Sequence, residues 1–202
     1  MINEEKRNKN YLLWVDSLKK YNCYSEELIE KYGDKIKKAS FSMNEKCGSC
    51  YEGSLINVVL YNLCVIGSHI NKYAFGENEN GKQRHPFLSV DLNSLMKVLL
   101  LQHIAKAELF VPTVMQWQRN NGILYEFNNN ITTSLKLGER SAYICLSCGI
   151  KLTEEEYEAM KVCDKEEESK NNPYITSLSA MVKLTNQLTS IEVYKQYKKE
   201  NS

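Results

Sequence analysis

Apolar residues recur at helical spacing along most of this chain, and that regularity confines it to a bundle of helices. In "KNYLLWVDSLKK", residues 9–20, the side chains of Tyr11, Trp14, Val15 and Leu18 share one stripe. Val59, Leu63, Ile66, Ile70 and Tyr73 repeat with the same period in "SLINVVLYNLCVIGSHINKYAF". Residues 91–109 read as one helix with Asp91 as its cap and Leu92, Leu95, Met96 and Leu99 towards the core. In the last helix, opened by Pro173, a face forms from Leu178, Met181, Leu184, Leu188 and Ile191. Further helix signals are Ser25 ahead of "EELIEKYGDKIKK", Gly149 after "GERSAYICLSC", and the Thr153 to Glu156 capping box of "TEEEYEAM". Only "VPTVMQWQRNNGILYEFNNN" reads as irregular or weakly β, and "GENENGKQRHP" reads as a loop.

With 26 basic and 25 acidic residues the formal net charge is +1. No global field therefore draws the chain to nucleic acid or to an anionic membrane. The apolar run "LMKVLLL" is too short to span a bilayer, and the start "MINEEKRNKN" has no apolar core of a signal peptide. A cytoplasmic protein is expected. Seven cysteines, an odd number, point to reduced thiols rather than a disulfide framework.

One feature breaks the helical pattern. "LLLQHIAKAEL", residues 99–109, sets Gln102 beside His103 in the middle of a strongly apolar helical pattern, where a buried helix normally carries neither. The segments around it suggest why. "YEGSL" leads into a helix, a later helix ends "LLQHIAKA", and "WQRNNGILYEF" and "GERSAYICLSCGIKLTEEEYEAM" follow before a long last helix. In this order and over roughly residues 40–190, the chain resembles the HD-domain phosphohydrolase family, most closely the HD-like proteins of bacteria and their phages. The resemblance implies an all-α bundle whose central helices hold metal in the family, with residues 1–39 as an N-terminal helical extension, 40–192 as the HD-like domain and 193–202 as a polar tail.

The same resemblance finds each of the family's metal ligands missing from its expected position. Its first His falls on Val58, its His-Asp pair on Gln102 and His103, two further His on Leu137 and Cys163, and its last Asp on Asn186. A water-activating divalent cation needs anionic or imidazole ligands. The chain has three histidines, His69, His85 and His103, and only His103 falls in the expected cavity. It reads as a cavity histidine satisfied by hydrogen bonds, or else as a nucleotide contact. Lys106 matches the family lysine that can meet a phosphate, or else is a surface lysine, and Arg140 and Glu139 in "GERS" either face the same cavity or form structural ion pairs with each other's neighbours.

Two Cys-x-x-Cys pairs, Cys47 with Cys50 and Cys145 with Cys148, offer a zinc alternative at tetrahedral-site spacing. The second pair lies within a helix, where cysteines often pack as small apolar residues. No glycine-rich phosphate loop or nucleophile elbow is present. The expectation is an HD-like protein with no catalytic residues, no metal and no cofactor. It would act as a structural or interaction component binding other proteins or copies of itself, in the cytoplasm or, for a phage chain, in the host or virion. The alternatives are a non-hydrolysing nucleotide or phosphate binder and an active metal-dependent phosphohydrolase.

Overall fold

The computed structural model describes residues 3–66, 90–162 and 175–200. Helices dominate: α1 (Glu4–Lys20), α2 (Glu26–Lys38), α3 (Ser54–Val65), α4 (Leu92–Leu101), α5 (Lys106–Leu109), α6 (Gln116–Asn120), α7 (Leu137–Ser147), α8 (Glu154–Lys161) and α9 (Ser177–Glu200). Two short strands, β1 (Phe110–Pro112) and β2 (Tyr125–Phe127), pair antiparallel with Phe110 opposite Phe127. Pro173, Ile70 and Tyr73 lie outside the described residues.

Helix α4 is the centre. Leu95, Val98, Leu99, Leu100 and Leu101 are fully buried, and the helix packs against α1, α3, α7, α8 and α9. A helix apolar on nearly every side has to be covered on every side, which is why the other elements surround it. Trp14 and Leu18 of α1 and Leu28 and Ile36 of α2 belong to the same core cluster, so the N-terminal helices are part of one hydrophobic interior. At the other end α9 continues through Glu200, and residues 193–200 are its last turns.

The helix ends follow local chemistry. Ser25 caps α2 by accepting from the Leu28 amide, and Asp91 caps α4 by accepting from the Ser94 amide. Thr153 and Glu156 exchange both bonds of their capping box. Gly149 ends α7 at φ 75°, a left-handed conformation that a side chain would resist.

Two expectations change. The stretch 91–109 is not one helix: α4 stops at Leu101, and residues 102–105 tighten into turns in which the Ile104 amide donates to the Leu101 carbonyl and the Lys106 amide to the His103 carbonyl. Shifting to these shorter bonds leaves the Leu100 carbonyl without its usual donor from Ile104. Trp14 Nε1 supplies one at 3.2 Å. In α9 the buried side is Leu178, Met181, Val182, Thr185 and Thr189, while Leu184 and Ile191 are exposed. Thr185 can sit inside because its hydroxyl donates back to the Met181 carbonyl at 2.8 Å, leaving its methyl to pack.

Candidate functional site

Gln102 is completely buried at the break between α4 and α5, facing α9. It forms a reciprocal amide pair with Asn186: Gln102 Nε2 donates to Asn186 Oδ1, and Asn186 Nδ2 donates to Gln102 Oε1, both at 3.0 Å. Asn62 of α3 closes the group, its Nδ2 donating to Asn186 Oδ1 at 3.3 Å. Three neutral amides thus tie α3, α4 and α9 together. Asn62 carried no signal in the sequence, because a lone Asn among apolar residues gives no indication of its partner. Two of the residues expected around one cavity, Gln102 and Asn186, are thus in contact, through side chains that carry no charge.

His103 turns from this group and packs edge-on against Phe41, with ring centroids 5.0 Å apart. Its Nδ1 is buried without a hydrogen-bond partner. Burial first, and the charge of Lys106 second, hold its pKa well below the ordinary histidine value, so the ring is neutral at pH 7. Lys106 is buried too, donating to the Phe41 carbonyl at 2.9 Å and sitting 3.5 Å from the Phe41 ring centroid. It lines a cleft of about 450 Å³ together with Val58, Phe110 and Tyr194.

A pH effect follows from His103. Unfolded, it takes up a proton below about pH 6.5; folded, it resists until much lower pH. Stability is therefore full above that value and falls as pH drops through it, by at most about 1.4 kcal/mol per pH unit for one such site. Urea titrations at pH 7.5 and 5.5 should show this loss in the parent protein and a smaller one in His103→Gln. Equal losses in the two proteins would contradict it.

The remaining expected residues lie elsewhere. Leu137 opens α7 half-buried against the core. Arg140, one turn later, lines a cleft of about 810 Å³ whose walls share only Phe110 with the cleft of Lys106. Its Nη2 donates to the Thr133 carbonyl at 3.0 Å and the Thr133 hydroxyl at 2.6 Å, while Glu139 lies 3.8 Å from Lys161. Cys163, His69 and His85 fall outside the described residues.

The four zinc-candidate cysteines are not gathered. Cys47 is exposed and Cys50 buried in the segment before α3, where neighbouring Gly48 abuts Tyr197 of α9. Cys145 on α7 and Cys148 just after it are buried, and the Cys148 carbonyl accepts from the hydroxyl of Ser25 at the start of α2. Among the described residues no group of three or more His, Cys, Asp or Glu could hold a metal ion. Burial pushes the Cys50 thiol up to about 11 and raises that of Cys145. Both stay protonated at neutral pH, the form that neither binds metal nor attacks.

No helix among the described residues is long and apolar enough to cross a membrane. Comparison with family models, with curated proteins and with solved structures finds no match for this chain.

Proposed function

We propose that this protein is a non-catalytic HD-like scaffold that works as a structural or protein-interaction component. The observation that carries the reading is the reciprocal amide pair that buried Gln102 makes with half-buried Asn186, at the positions where the resemblance puts metal-binding side chains. A cation there would have to break two matched hydrogen bonds and would gain only neutral oxygen ligands, a poor exchange for an ion that must shed water. Without a metal the family's hydrolytic water is not activated.

Interaction is supported by the surface of α6 and its approach. Val114, Met115 and Trp117 are 81%, 50% and 60% exposed. Large apolar side chains grouped on a surface commonly mark a contact with another protein, and Trp is prominent among the residues that dominate such contacts.

Hydrolysis of nucleoside mono- and triphosphates and of cyclic nucleotides should stay at background with Mg, Mn, Fe or Ni added. Turnover that disappears in Gln102→Ala would overturn the non-catalytic reading. Trp117→Ser should leave thermal stability within about 0.5 kcal/mol while weakening self-association measured by sedimentation. A parent chain that stays monomeric at every concentration would remove self-assembly from the proposal and leave other proteins as the partners.

A further inference from the structure

Arg140 is the most unusual charge among the described residues. Only 8% exposed, it meets no carboxylate within ion-pair distance among the described residues, and its Nε is buried there with no hydrogen-bond partner. Its side-chain acceptors among the described residues are the carbonyl and hydroxyl of Thr133, both neutral. A buried guanidinium normally faces a carboxylate or another anion, because an uncompensated buried charge is strongly unfavourable. Here the group lines a cleft that no other part of the described chain fills.

The other walls of that cleft fit an anion with an organic body. Lys35 and Lys38, three residues apart in the last turn of α2, place two further ammonium groups along it. Of its two carboxylates, Glu52 is already paired with Arg7 at 2.8 Å, leaving Glu108 against three cations. Thr132 and Asn130 add hydroxyl and amide groups, and Phe110 and Ile131 add apolar surface. A volume of about 810 Å³ is far more than a lone phosphate fills and lies within the usual range of small-molecule sites.

We infer that the cleft between α2, the β1–β2 hairpin and the start of α7 binds an organic phosphate of nucleotide size, with Arg140, Lys35 and Lys38 on the phosphate. A guanidinium anchored at Thr133 through Nη2 keeps further N–H groups to donate to phosphate oxygens, and the two lysines add charge without demanding geometry. The site goes beyond the non-catalytic reading and does not depend on it, since binding is read without turnover.

Isothermal titration of the full chain tests it with three probes: AMP, adenosine and pyrophosphate. AMP is expected to bind saturably, pyrophosphate more weakly, and adenosine not at all. Both lysines are exposed, so Lys35→Ala combined with Lys38→Ala should fold normally and weaken AMP by roughly tenfold or more. Arg140→Lys, which keeps the charge and loses the fork, should weaken it as well. Lys46→Ala, at an exposed lysine outside the cleft, should not. The inference is overturned if neither phosphate binds at millimolar concentration, if a Glu-rich peptide binds in their place, or if binding survives the lysine and arginine changes. It is also overturned if binding is lost on Lys106→Ala, which would move the site to the other cleft.

Discussion

Gly138→Ala should destabilise the protein by about 3 kcal/mol, a large share of the roughly 5–15 kcal/mol that holds a domain folded. Gly138 lies in the first turn of α7, where that helix crosses α8. A Cβ there would stand 2.1 Å from the Met160 carbonyl oxygen and 2.9 Å from the Lys161 Cα. Both atoms belong to backbone, so no rotamer change relieves the overlap and the two helices have to separate. Alanine's better helix propensity offsets at most about 1 kcal/mol of that. Thermal melts of Gly138→Ala and Gly138→Ser measure the effect, and a melting point equal to the parent's in both would show that α7 and α8 are not so closely opposed.

Trp14→Ala should cost about 3–5 kcal/mol, the usual range for removing a large aromatic from a core. Two separate losses combine in it. The indole is 1% exposed within the cluster formed with α4, so truncation leaves a cavity. It also removes the donor to the Leu100 carbonyl, which the break after Leu101 deprives of its helical partner. Trp14→Phe keeps most of the packing and loses the bond, so it should recover the larger part of the stability while still falling short by about 1 kcal/mol. Denaturant titration of both variants separates the two losses; a Trp14→Phe protein as unstable as Trp14→Ala would assign the whole effect to the hydrogen bond.

The legible parts of this fold were those set by neighbours in sequence. Ser25, Asp91 and Thr153 cap helices where their spacing to later amides said they would. The Tyr11, Trp14, Val15 and Leu18 stripe faces inward as its period requires. What could not be read depends on distant partners. Residues 102–105 keep a helical composition, and their break is satisfied by an indole from α1, 86 positions earlier in the chain. The face of α9 was misplaced because burial there includes Thr185 and Thr189, which a pattern of large apolar residues passes over. Lys35 and Lys38 sit in the last turn of α2, and nothing local says that Arg140 joins the same cleft. Gln102 was conspicuous in the sequence, but its exchange of bonds with Asn186 spans 84 positions.

The central proposal is that neutral amides close the middle of this bundle at the positions where the resemblance puts a metal. Elemental analysis of the purified protein, after dialysis against each divalent ion in turn, tests it most directly. The account predicts no stoichiometric Mn, Fe, Ni or Mg. One ion bound per chain and released on His103→Ala or Gln102→Ala would contradict it.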